Sequence, residues 1–164
     1  GIRCAPLFVT KIEDSHGNVI AKFQPLMTEV ISEVSSYQMI DMLRAVIQGG
    51  TGSRLRYAYH LTADMGGKTG TTNNNADGWF MGITPNLVSG CWVGGEDRDI
   101  HFDHTSMGQG ATMALPVWAY YMQRVYADKR LGYSQSTKFT MPAKFNPCQT
   151  ADTINVNGIQ EEYF

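Results

Sequence analysis

Two rhythms of apolar and polar positions alternate along this chain. Between residues 7 and 23, Leu7, Val9 and Ile12 lead into the polar run Glu13-Asp14-Ser15-His16-Gly17-Asn18, and Val19-Ile20-Ala21-Lys22-Phe23 returns. Short apolar stretches around a Gly/Asn turn predict a β-hairpin, which Pro25 ends. Residues 32–48 change to a helical period. Tyr37, Ile40, Leu43 and Ile47 fall on one face, with Met39 and Val46 alongside. Ser35 with Gln38 three residues on forms a capping box, and Ser32 is an alternative cap. Gly49-Gly50 supplies the stop, as a left-handed C-terminal position favours glycine.

Residues 51–66 carry a Thr51-Gly52-Ser53 loop and then a mixed aromatic stretch without a clear period. Three strands are expected next, at 67–72, 78–84 and 87–93. The last two flank the turn Thr84-Pro85-Asn86. Their short links make them antiparallel neighbours. Their near-continuous apolar runs imply helices on both sides of the sheet. A Gly-, acid- and His-rich loop spans 94–110. Val117, Tyr121 and Val125, with Trp118 and Met122 beside them, then predict a helix over 111–127. Pro116 must lie in its first turn or kink it. The period fades after Arg130, so residues 131–164 are expected to be an extended tail beside a domain formed by 1–130. The fold class expected is α+β, an antiparallel sheet with helices on its faces.

Composition narrows the classes of function. The 164 residues are 43% hydrophobic and 17% charged, enough for one domain with a core. The net charge of −2 gives no electrostatic reason to expect nucleic acid as a partner. No apolar run approaches the roughly 20 residues of a membrane-spanning helix. The chain starts without Met or a signal peptide, which reads as a piece of something longer. Cys4, Cys91 and Cys148 form no zinc or redox spacing, and Cys91 in its apolar run reads as a buried thiol.

The chemistry concentrates in Lys68-Thr69-Gly70-Thr71-Thr72. A cation, hydroxyls and a side-chain-free position stand on consecutive residues of an expected strand. Thr69 and Thr71 are two apart, so their hydroxyls share a face and can donate together to a carboxylate. Lys68 stabilises an anion or activates a neighbouring hydroxyl. The Thr71 N–H, on an edge strand, is a candidate oxyanion donor. The plainer reading is a solvated edge strand guarded by lysine. A phosphate-binding loop would need a glycine where Thr62 stands, and a helix after Thr69. His101, Asp103 and His104 could contribute to a metal site, but one short loop without a distant ligand reads as a polar loop. No metal or cofactor is expected.

Lys-Thr-Gly is also the third signature of the serine enzymes that react with penicillin. Its flanks here are Gly67 before it, then Asp77-Gly78-Trp79-Phe80-Met81-Gly82-Ile83-Thr84-Pro85-Asn86-Leu87-Val88 and Trp92-Val93-Gly94. With Ile12-Glu13-Asp14, Gly17, Tyr37-Gln38-Met39, Gly50-Thr51-Gly52 and Ala114-Leu115-Pro116-Val117-Trp118, the chain resembles the class A penicillin-binding proteins of the 1A type. The resemblance implies part of a serine-transpeptidase/β-lactamase-like domain. Its parent would be a periplasmic D,D-transpeptidase that cross-links peptidoglycan stem peptides and binds β-lactams, anchored outside this chain. Lys68 and Thr71 would be catalytic, and Thr69, Gly70, Thr71 and Thr72 would bind substrate.

Two family motifs are missing. No serine stands three before any lysine, the positions being Phe8, Val19, Met65, Tyr126, Gln135 and Met141. No serine is followed two on by Asn or Asp. The expected partner is therefore a preceding part of the same domain, and the chain alone is expected to be inactive. The competing readings are a non-catalytic fragment that self-associates through its exposed face, and part of a serine β-lactamase.

Overall fold

A computed structural model describes residues 1–145. Two antiparallel ribbons open the chain, one nested inside the other. β1 (Ile2–Cys4) pairs with β4 (Met27–Glu29), and β2 (Lys11–Glu13) pairs with β3 (Val19–Lys22). The inner turn is built by one carboxylate. Asp14 Oδ1 accepts from His16 N at 2.8 Å and Asn18 N at 2.9 Å, while Oδ2 accepts from Asn18 Nδ2. These bonds, the Asn18 side chain foremost, hold the Asp14 carboxyl below its ordinary value. Gly17, at φ +83°, takes the left-handed position that a side chain resists. Leu7 and Val9, expected within the hairpin, lie outside its strands and are exposed. The β1–β4 pair has no sequence signal: three-residue strands with every position exposed carry no alternation to read.

α1 runs Glu33–Gln48. Its cap is Ser32, whose hydroxyl accepts from Ser35 N at 3.1 Å; Ser35 itself lies inside the helix, so the alternative cap is the one used. Tyr37 and Ile47 are buried, Ile40 and Leu43 half-buried, and Met39 is exposed. Gly49 is not left-handed (φ −147°). The glycines after α1 answer to close approach instead. A Cβ on Gly50 would stand 2.9 Å from Val46 Cα, and one on Gly52 2.6 Å from Ile47 Cδ1. The stretch without a period contains a single helical turn, α2 (Arg54–Tyr57), which buries Leu55.

The main sheet has the order β5-β6-β7, with β5 (Gly66–Thr71), β6 (Asp77–Thr84) and β7 (Leu87–Gly94), all antiparallel. After the short α3 (Thr105–Gly108), α4 (Gly110–Ala127) crosses one face of this sheet. Phe80 and Trp118 meet edge to face there, ring centroids 5.0 Å apart, and Trp118 Nε1 donates to Ser89 Oγ at 2.8 Å. Burial along α4 runs through Ala111, Ala114, Leu115, Trp118, Ala119, Met122 and Val125. Val117 and Tyr121, expected on the inner face, are exposed. Glycines on β6 set this choice of face: a Cβ on Gly78 would stand 3.2 Å from Gly110 Cα, and the Trp118 ring fills the position that Gly82 leaves empty. Pro116 sits seven residues into α4, past the first turn, and cannot donate to the Thr112 carbonyl.

The opposite face is covered only in part. α1 reaches it at Gly66, where a Cβ would stand 2.9 Å from Leu43 Cβ. Register places Trp79, Met81, Val88 and Trp92 on that same face, all exposed. β6 accordingly alternates, and its continuous apolar run does not mean burial on both sides. The result is an α+β architecture with an antiparallel sheet and helices against it.

Residues beyond Arg130 return to this body. Gln135 Oε1 accepts from Thr62 N and Ala63 N, at 2.7 and 3.2 Å, and Phe139 N donates to Asp64 Oδ2 at 3.1 Å. Phe145 stacks edge-on against Tyr37. Asp64 is 7% exposed and also accepts from Arg44 Nε at 2.8 Å. The remainder of the expected tail, with Cys148, lies outside the described residues. Among the described residues no helix is long and apolar enough to cross a membrane.

Candidate functional site

The Lys-Thr-Gly stretch occupies the open edge of the sheet. The reason lies in the ladder. Thr72 N donates to Asp77 O at 3.0 Å, which makes 72–77 a bonded pair. Antiparallel pairs alternate, so at the next pair, Thr71↔Gly78, the Thr71 N–H and C=O turn away from β6. Thr69 follows the same parity, and its carbonyl accepts from Lys68 Nζ at 2.8 Å. Two backbone donors and two acceptors therefore line an edge with no further strand beyond it among the described residues.

The side chains divide between faces. Thr69 and Thr71 share the α4 face with Phe80 and Gly78. Lys68 and Gly70 share the other with Met81 and Trp79. The two threonine hydroxyls have different partners. Thr69 Oγ1 lies 3.0 Å from Thr51 Oγ1, and Thr71 Oγ1 accepts from Gly110 N at 3.0 Å. Accepting leaves the Thr71 hydroxyl proton free to donate, and the Thr51–Thr69 pair keeps one proton beyond the one it shares. Two O–H donors thus remain for an anion.

Thr72 closes the strand. Its hydroxyl accepts from Asp77 N at 2.9 Å and donates to Asp77 Oδ2 at 3.2 Å. Asp77 Oδ1 accepts from Trp92 Nε1 at 3.0 Å. The carboxylate therefore braces the end of β5 against β7. Asn74 and Asn75 complete the turn at φ +61° and +55°, a conformation asparagine tolerates better than most residues. This turn, with Thr71, His101, Phe102, Asp103 and Thr105, borders an open groove of about 660 Å3.

All five residues singled out in the sequence, Lys68 to Thr72, stand together here by contiguity. Four partners had no role assigned from the sequence: Thr51, Asp77 and Trp92, which stand only among the residues of the resemblance, and Gly110. Thr51 follows α1 and meets Thr69 across 18 residues, a distance no local pattern encodes. The run Gly108-Gln109-Gly110 before an apolar helix was the one visible hint of a close approach at Gly110. His101, Asp103 and His104 are exposed, and among the described residues no three His, Cys, Asp or Glu side chains gather to hold a metal. Cys91 is only partly buried, and that burial pushes its thiol above the ordinary value.

The family model described as the penicillin binding protein transpeptidase domain matches residues 1–89, which include β5 and β6. Penicillin-binding protein 1A of Aquifex aeolicus is 38% identical over 125 residues, covering 76% of this chain and 16% of that protein. Penicillin-binding protein 1A of Neisseria lactamica is 37% identical over 133 residues, covering 75% and 15%. The chain thus spans under a fifth of the length of these relatives. The crystal structure of penicillin-binding protein 1A from Haemophilus influenzae shares the fold, with a TM-score of 0.65 at 24% identity over 86% of this chain and 25% of that one. Sequence kinship of this extent, with the same α+β fold, settles the family: this chain belongs to the penicillin-binding protein transpeptidase domain family, among relatives of the 1A type.

Proposed function

We propose that this chain supplies one wall of a peptidoglycan D,D-transpeptidase site, where a serine takes the acyl group of a D-Ala-D-Ala stem peptide as an ester, releasing the terminal D-Ala, and passes it to an amine, which frees the serine. The observation that carries this reading is the open edge of β5, with the Thr71 N–H directed outward and free hydroxyl protons on the strand. In this role Thr71 N–H is one oxyanion donor. The Thr69 and Thr71 hydroxyls bind the terminal carboxylate, and the Lys68 charge supports that anion. Gly70 and Thr72 shape the bed along which the substrate backbone lies. An oxyanion donor of this kind contributes about 3–4 kcal/mol to the transition state. β-Lactams bind the same wall as mimics of the dipeptide.

The attacking serine and its lysine come from a preceding part of the same domain, since no Ser-x-x-Lys occurs in these 164 residues. The parent works at the periplasmic face of the cytoplasmic membrane, and the isolated chain does not acylate. Incubation with a fluorescent penicillin, read by intact-protein mass, tests this. No adduct is expected, and a stoichiometric covalent adduct overturns the assignment of the nucleophile to another segment.

One observation favours self-association as a second property of the chain alone. Trp79 and Trp92 stand opposite each other on the open face of the sheet, 44% and 47% exposed, beside Met81 and Val88. Sedimentation velocity is expected to show concentration-dependent dimers. A monomer at every concentration removes this reading and leaves the first intact.

A further inference from the structure

Thr51 and Thr69 meet hydroxyl to hydroxyl, Oγ1 to Oγ1 at 3.0 Å, and backbone holds both ends of this contact. Thr51 stands in the turn after α1, between two glycines pressed against the helix. Gly52 N donates to Val46 O at 3.0 Å, and Ser53 N to Gly50 O at 3.1 Å. A Cβ on Gly50 would meet Val46 Cα at 2.9 Å, and one on Gly52 would meet Ile47 Cδ1 at 2.6 Å. Thr69 lies in the β5–β6 ladder opposite Phe80, which is fully buried. Gly66 and Leu43 bring β5 and α1 together. The packing of α1 on the sheet therefore sets the distance between the two oxygens.

A pair of hydroxyls shares one proton and leaves the other free. If Thr69 donates to Thr51, the free proton sits on Thr51, away from the strand. If Thr51 donates to Thr69, the Thr69 proton stays available at β5. A carboxylate only accepts, so an anion at Thr69 selects the second direction. The bond from Thr51 then fixes the Thr69 rotor and polarises its O–H, which strengthens the bond to the anion.

We propose that Thr51 is a positioning residue for the substrate carboxylate: it donates to Thr69 Oγ1 and so commits the Thr69 proton to the anion. The inference rests on the reading of Thr69 as a ligand of that carboxylate. Thr51 acts through Thr69 and does not touch substrate. A contact that merely staples α1 to β5 would alter stability, and it would not change how the site tells a carboxylate from a neutral amide.

Amide spectra of the 15N-labelled chain, titrated with N-acetyl-D-Ala-D-Ala and with its C-terminal carboxamide, test this. The free acid is expected to shift the Thr69 and Thr71 amides and to bind more tightly than the carboxamide, because bonds to a charged acceptor are the stronger ones. Thr51→Val keeps the branched side chain and removes the hydroxyl. It should reduce the preference for the acid roughly two- to tenfold, the range of one hydrogen bond. Thr51→Ser should restore the preference. In Thr69→Val the preference should already be low, and adding Thr51→Val should change nothing further. The positioning role is overturned by equal affinity for the two ligands in the unaltered chain, by an unchanged preference in Thr51→Val, by no recovery in Thr51→Ser, or by a further loss on top of Thr69→Val. Each of these leaves the transpeptidase reading standing. No shift of the β5 amides with the free acid overturns both.

Discussion

Gly110 N donates to Thr71 Oγ1 at 3.0 Å, which joins the first residue of α4 to the last residue of the Lys-Thr-Gly strand. The donor is one of the helix N-terminal N–H groups that no intrahelical carbonyl can satisfy. Gly110 is buried, so water does not replace the threonine readily. The same hydroxyl that is proposed to meet substrate therefore also anchors the helix covering the sheet. Thr71→Val should lower the unfolding free energy by about 1 kcal/mol, the usual worth of one such bond, while Thr71→Ser should be close to neutral. Urea unfolding of both variants checks this, and equal losses would speak against the bond.

The glycines under α4 should not be equivalent. A Cβ on Gly110 would stand 2.3 Å from Gly70 O and 2.4 Å from Trp79 O, both backbone atoms of paired strands. One on Gly82 would meet the Trp118 ring at 2.2 Å. Overpacking typically costs about 1–3 kcal/mol. Gly110→Ala should lie at or above the top of that range, because the ladder cannot move. Gly82→Ala should be rescued in part by Trp118→Leu, which vacates the ring. A double-mutant cycle in denaturant reads the coupling, and strict additivity would contradict the contact.

Asp64 holds three segments together. It accepts from Arg44 of α1 and from Phe139 N of the returning chain, and Arg44 also reaches Asp41 at 3.0 Å. The carboxylate is nearly buried and Arg44 a quarter exposed, so removing the acid leaves the Arg44 Nε without its acceptor, with Asp41 the one carboxylate still bound, and deprives Phe139 N of its acceptor. Asp64→Ala should cost about 3 kcal/mol, near the low end for a broken buried pair. Hydrogen exchange should quicken at Phe139 in this variant. Protection at Phe139 unchanged from the parent would show that the return segment is held by other contacts.

Alkaline stability should depend on Tyr126. Burial first, opposed by the neighbouring Thr84 hydroxyl and by the Arg56 charge, raises its phenol above the ordinary value of 10.0. A raised pKa means that the folded state holds the proton more tightly than the unfolded chain. The stability this contributes is complete below pH 10 and is lost as pH rises through the higher folded value. Tyr126→Phe should flatten the decline of the unfolding free energy above pH 10, measured in urea across that range. An unaltered slope would assign the decline to other groups, Cys91 among them, whose thiol burial also raises.

Local pattern alone determines a good deal here. The β5–β7 meander follows from short apolar runs and tight links, and α1 follows from the period of Tyr37, Ile40, Leu43 and Ile47 with a serine cap. The Lys68–Thr72 chemistry is contiguous, so it needs no fold to be seen. What the sequence could not determine depends on distances between elements. The period of α4 put Val117 and Tyr121 inward with Trp118 beside them, whereas Leu115 and Trp118 are buried and the first two are exposed; Gly82 decides it, because a large ring on the helix needs an empty position on the strand. Thr51 beside Thr69, Trp92 on Asp77 and Gln135 on Thr62 are long-range pairs. Each depends on where packing of other residues places two backbones. Tertiary structure alone therefore turned a run of residue types into an edge with the Thr71 N–H directed outward, since that direction follows from ladder register and not from composition.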